Sequence, residues 1–212
     1  AFKHPLTQEV ALASQLRERR RGVHAALARA IEQQEAEQLD ERAALLAHHC
    51  EEAGEAIAAA RWHRRAAEWV GHTDIGAALH HWQRVRALLR GLPIDPDVAA
   101  LGVAACRQLL NMGWRVGTPL DEARALLEEG QALATSIGDR RAHLKLSMVF
   151  ARALCSVGDV AGYLDLSIEN QRAALEIDDV AVQANAWGYL IDALSFAARF
   201  NEVLRMADEG LA

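Results

Sequence analysis

Histidine is the residue type whose placement first invites a chemical reading. His48 and His49 adjoin Cys50, and His63, His80 and His81 follow. Imidazole nitrogen and thiolate are the ligands that zinc-type ions prefer. The spacing argues against a site on any one helix. Adjacent helical side chains diverge by about 100°, whereas helical ligands stand at i and i+4. A ligand set drawn from different helices cannot be placed by spacing, so the sequence assigns no metal. These histidines are expected to be packing or surface groups. Cys50, Cys106 and Cys155 are odd in number and far apart. They read as inert thiols in a reducing compartment rather than a disulfide framework. Nothing supplies a nucleophile–base pair or clustered carboxylates, so no catalytic residue is assigned.

The second feature is cationic. Arg17, Arg19, Arg20 and Arg21 crowd one short stretch. They read as a solvated face balanced by Glu32, Glu35, Glu37, Asp40 and Glu41, as a contact for another domain, or as a phosphate or nucleic-acid site. The charge balance disfavours the last. Residues 1–106 carry 13 basic and 14 acidic groups, and residues 107–212 carry 10 and 15, for a total of −6. A general nucleic-acid binder needs a basic face.

The elements that must position these groups are helices. Ala, Leu, Arg and Glu dominate, all good helix formers. Pro is 4 and Gly 14 in 212 residues, so long helices run uninterrupted. The expected class is all-α. Start and stop signals predict helices over about 5–13, 15–34, 41–53, 55–70, 74–90, 97–115, 119–136, 140–156, 160–176, 179–198 and 201–212. Asp40 is expected to cap the third. The 15–34 helix carries Leu16, Val23, Leu27 and Ile31 as an apolar stripe. Gly91–Pro96, with two prolines, is the clearest break. No apolar run reaches the ~20 residues of a membrane helix, and no secretory leader is legible, so the expected location is the cytoplasm. A start without Met and a stop inside an apparent helix suggest a piece of a larger protein.

A repeat organises the helices. At a constant shift of 40, Ile137 meets Ile177, Asp139 meets Asp179, Phe150 meets Leu190, Leu154 meets Leu194, Val160 meets Phe200 and Leu164 meets Leu204. One step back, Leu110, Trp114 and Leu120 stand for Phe150, Leu154 and Val160. A further copy at a shift of 45 sets Trp69, Ile75 and Ala78 against Trp114, Leu120 and Ala123. One helix–turn–helix unit cannot bury both faces, so units must stack.

The unit contents resemble the tetratricopeptide (TPR) repeat. Trp62-x2-Arg65-Ala66-x2-Trp69 followed by Ala78-x3-Trp82 matches its signature, and Trp187-x2-Leu190-Ile191-x2-Leu194 followed by Val203-x3-Ala207 matches more loosely. The five tryptophans are then expected in the repeat core. The resemblance implies a right-handed stack of antiparallel pairs over 55–212 with a concave groove. In that frame the groove carries Gln108, Met112, Arg115, Lys145, Met148, Arg152, Asn185 and Asp192, which suits an acidic or amphipathic peptide or protein.

A further resemblance covers the N-terminal part. Phe2-Lys3-His4-Pro5-Leu6-Thr7-Gln8-Glu9-Val10-Ala11, the Arg-rich helix and Leu46-Ala47-His48-His49-Cys50-Glu51-Glu52-Ala53-Gly54 resemble the segment that closes the ATPase module of bacterial adenylate/guanylate cyclase-like proteins with an AAA-type (STAND) ATPase. Departures are Pro5, Leu12, Val23 and Cys50. The resemblance implies that residues 1–54 are the end of the ATPase module and an N-terminal helical cap, that Arg17–Arg21 face that ATPase domain, and that the parent uses ATP and Mg. STAND-type transcriptional activators share the layout and are the alternative. The chain has no phosphate-binding loop, and its only lysines are Lys3 and Lys145. It is expected to be a non-catalytic interaction and regulatory region without a cofactor.

Overall fold

The structure, a computed structural model, describes residues 5–34, 38–71 and 73–210, with the side chains of 5–16, 34 and 207–210 outside that set. Phe2, Lys3 and His4, the acidic Glu35 and Glu37, and the side chains of the remaining N-terminal motif, Leu16 and Ala207 therefore lie outside the described residues. Among the described residues every regular element is helical and there is no strand. Ten helices pack in neighbouring pairs. The chain divides at Pro93/Ile94 into two compact units, at the two-proline break. The boundary expected after residue 54 falls inside the first unit, where α2 packs directly on α3.

The first unit holds α1 (Pro5–Gln34), α2 (Ala43–Ala53), α3 (Ala56–Val70) and α4 (Ile75–Leu89), each packed on the next. α1 is one continuous helix rather than two, because no proline or glycine interrupts residues 6–21. Its buried face also departs from the expected stripe. Val23 and Leu27 are 52% and 43% exposed, while Ala28 is buried with Leu46, Cys50 and Ala59. Ile31 packs against that cluster together with Trp62 and Leu88. The small Ala28 lets α1 approach closely, and that close contact decides the orientation over the bulkier Val23 and Leu27. α2 begins at Ala43 after Arg42, and Asp40 caps nothing; its carboxylate accepts from Arg65 Nε at 2.5 Å.

The second unit holds α5 (Pro96–Val116), α6 (Leu120–Ser136), α7 (Arg140–Ser156), α8 (Val160–Leu175), α9 (Val180–Phe196) and α10 (Phe200–Gly210). Each packs on its successor, and α7 also touches α5 and α9. Aspartates fix the starts. Asp95, Asp139, Asp159 and Asp179 each accept a backbone N–H of the first turn, satisfying a donor the helix cannot. The repeat also appears in the turns. Asp159 N–H donates to Leu154 O at 3.0 Å, and 40 residues on Arg199 N–H donates to Leu194 O at 2.9 Å. Leu110, Phe150 and Leu190 are all buried. The equivalence ends at α10, where Leu204 is exposed and its counterpart Leu164 is buried.

Two local constraints are measurable. Gly158 takes φ +85°, and its counterpart Ala198 is held at +57°, where a Cβ is unfavourable. Ala198→Gly is expected to raise stability by about 0.5–1 kcal/mol in urea unfolding. Gly130 sits where α5, α6 and α7 meet. A Cβ there would come within 2.9 Å of both Leu146 methyls and 3.0 Å of Cys106 Cβ. Both residues are fully buried. Gly130→Val is expected to cost about 1–3 kcal/mol by overpacking, read in the same experiment.

Candidate functional site

Three polar constellations are built from different helices, two in the first unit and one in the second. The first centres on Glu51 of α2. Its Oε1 accepts from His63 Nε2–H of α3 at 2.5 Å and from Arg84 Nε–H of α4 at 3.1 Å, and its Oε2 accepts from Arg84 Nη2. With the His63 Nε2 proton committed to Glu51, His63 Nδ1 is the acceptor, and His81 Nδ1–H donates to it at 2.8 Å. His63 is 5% exposed. Burial would raise the Glu51 pKa, but the hydrogen bonds from Arg84 and His63 hold it below the usual value. Burial lowers the His63 pKa. Glu51 pulls the other way, but its charge is already neutralised by Arg84. Burial, with like-charge repulsion from His63 and His80, pushes His81 down to about 4. This is a locked tie between three helices, with no nucleophile among its members.

The second constellation joins α1 and α2. His24 Nδ1 lies 2.9 Å from His49 Nδ1, and His24 also meets His48 edge-on, ring centroids 5.9 Å apart. One ring nitrogen from each of the three lies within 4.8 Å of the others. Spacing could not place a ligand set across helices, and here α1 supplies the third imidazole across its contact with α2. Cys50, beside this trio in sequence, turns into the apolar cluster, and burial pushes its thiol up to about 11. Cys106 is buried and Cys155 half-buried, its thiol also raised by burial.

The arginine cluster is split. Arg20 faces Glu52 at 3.6 Å and Arg21 faces Glu18 at 3.9 Å. Neither partner belongs to the acidic run expected to balance them. Arg17, Arg19 and Arg20 line, with Val23, an open hollow of about 450 Å³.

The third constellation lies on α5, α7, α8 and α9 and holds residues of the expected groove. Met112 and Met148 are 4% and 1% exposed; Met112 belongs to the packing, and Met148 also lines a cavity. Arg152 and Asp192 pair at 2.9 Å, and Asp192 also accepts from the buried Tyr163 hydroxyl at 2.8 Å. Arg152 lies over the Trp114 and Tyr189 rings. Arg115 stacks on Trp114 with its guanidinium 4.4 Å from the ring centre. Gln108 sits within 3.5 Å of Asn111. A cavity of about 350 Å³ is lined by Arg107, Asn111, Lys145, Met148, Val149, Asn185 and Tyr189. So Lys145, Met148 and Asn185 are brought together, while Arg152 and Asp192 satisfy each other. Arg107, Asn111 and Tyr189 were missed because they fall outside the repeat frame's groove positions. The tryptophans divide likewise. Trp82 is 1% exposed, Trp62, Trp114 and Trp187 are half-buried, and Trp69 is 55% exposed. Trp69 is therefore not repeat core, since it falls in the last turn of α3, clear of that helix's buried residues.

No protein-family model matches the chain, and no curated protein is a significant match. The geometry alone then carries the expectations. Glu51→Ala leaves the buried His63 N–H without an acceptor and should cost about 1–3 kcal/mol. Folded His81 stays neutral down to about pH 4, whereas an unfolded histidine takes its proton near 6.5. The unfolded state binds more protons in that window, so stability should fall steadily as pH drops from 6.5 to 4. Urea unfolding across that range, with His81→Gln flattening the slope, checks it.

Proposed function

We propose that this chain is a non-catalytic, TPR-like interaction and regulatory region. Its partner is a peptide or protein with acidic side chains, held by the cavity on α5, α7 and α9. The observation that carries this reading is the cavity itself. Arg107 and Lys145 place two cations beside the amides of Asn111 and Asn185 and the Tyr189 ring. Two charges flanked by side-chain amides and an aromatic ring suit a carboxylate-bearing segment with an apolar neighbour. Contacts between alternate helices and the 40-residue recurrence of the turns support a repeat stack as the scaffold. No helix among the described residues is long and apolar enough to cross a membrane.

The wider reading rests on the resemblance of residues 1–54 to the close of a STAND-type ATPase module. In it, the parent is a signalling ATPase with a class III adenylate/guanylate cyclase domain. ATP and Mg belong to those other domains, and the exposed Arg17 and Arg19 face the ATPase from the cytoplasmic side of signalling. The motif's residues have structural work to do in α2, which supports the resemblance: Glu51 ties three helices and Gly54 ends the helix at φ +82°.

Fluorescence anisotropy with a labelled peptide of alternating Glu and Leu tests the groove. Micromolar binding that weakens with salt and at least about tenfold in Arg107→Glu/Lys145→Glu is expected. Binding unchanged by the charge reversal, or no binding, contradicts the groove. Calorimetry with Mg-ATP should show no micromolar site; finding one would overturn the non-catalytic reading.

A further inference from the structure

The geometry points to a transition-metal site, of the type that takes Zn²⁺, formed by His24 of α1 with His48 and His49 of α2. Three imidazoles from two helices converge here, one nitrogen of each within 4.8 Å of the others. Tetrahedral zinc with Zn–N bonds near 2.0–2.1 Å sets its nitrogens about 3.3–3.4 Å apart. The His24 and His49 Nδ1 atoms stand 2.9 Å apart in a hydrogen bond, and a small rotation of the rings in exchange for that bond opens them to the ligand separation. His48 must close the remaining gap, and it is the exposed member, free to change rotamer.

Adjacent histidines on one helix splay and seldom chelate by themselves. Here their splay opens a notch on α2, and α1 lays His24 into it. His24 stacks near both partners, with centroids 5.1 Å from His49 and 5.9 Å from His48. An all-imidazole set selects zinc, copper, nickel or cobalt over magnesium and calcium, which need oxygen ligands. Arg20, one turn before His24 on α1, is paired with Glu52 and solvated. Its repulsion of a divalent ion is screened. Three protein ligands leave a fourth position for water or for a carboxylate brought by a partner. The ion would fasten α1 to α2 at a level where their contact is polar; one turn further along the pair, Ala28 and Leu46 already provide an apolar seam.

Zinc titration of the 212-residue chain by calorimetry tests the site, with thermal unfolding alongside. The expected result is one Zn²⁺ per chain at micromolar affinity or better and a raised Tm, with no heat from Mg²⁺. His48→Ala, at an exposed position that should not disturb folding, is expected to weaken zinc at least about tenfold. His24→Gln should do the same. His80→Ala and Cys155→Ser, which alter other candidate zinc ligands, should leave it unchanged. Absence of zinc binding, or equal binding by His48→Ala, would overturn the site and leave His24 and His49 as a hydrogen-bonded pair.

Discussion

A pair of antiparallel helices has more apolar surface than it covers by itself, and everything else in this chain follows from how that surface is shared. In each unit the answer is to pack every helix on its neighbour along the sequence. The close approach this requires is made with small residues: Ala43, Ala47, Ala59, Ala60, Ala66 and Ala67 in the first unit, and Ala105, Gly130, Ala134, Ala151 and Ala186 in the second, are all buried. Alanine seams set helices near enough for dispersion to count. They also leave little room for error, which is why Gly130 cannot carry a Cβ without moving Leu146 or Cys106.

The polar ties lie between helices that sequence separates. Glu51 joins α2, α3 and α4 through His63 and Arg84, and Asp192 joins α7, α8 and α9 through Arg152 and Tyr163. Each is a carboxylate satisfied by two or three donors, the condition under which a half-buried charge is tolerable. They serve as registry devices: a helix that slid by one turn would leave the acid unpaired. The second tie uses up Arg152 and Asp192, so neither charge is left for the cavity that Arg107 and Lys145 line.

Most of the helical layout was legible in the residues. Asp74, Asp95, Asp139, Asp159 and Asp179 mark helix starts, and the 40-residue recurrence pairs Leu110, Phe150 and Leu190 in equivalent buried places. What was not legible has a common cause. Helical periodicity names a stripe but does not rotate it toward a neighbour. Val23 and Leu27 satisfy the period on α1 and remain exposed, because Ala28 gives the closer contact with α2. Met112 falls in the expected groove frame yet turns into the packing. Asp40 looks like a cap and serves instead as the partner of Arg65. The histidine trio depends on that same rotation of α1, which brings His24 to α2 along with Ala28. Likewise no spacing rule links Glu51 to Arg84, thirty-three residues apart.

Helices of the second unit are held by their neighbours along the chain rather than by their own sequences. Val182 of α9 is fully buried against Leu144 and Met148 of α7 and Ala174 of α8. Native-state hydrogen exchange of Val182→Ala measures the dependence directly. Faster exchange spreading from α9 into α7 and α8, with α2 and α3 unchanged, is the result this account requires. Loss of protection confined to α9, with α7 and α8 exchanging as in the parent sequence, would contradict it.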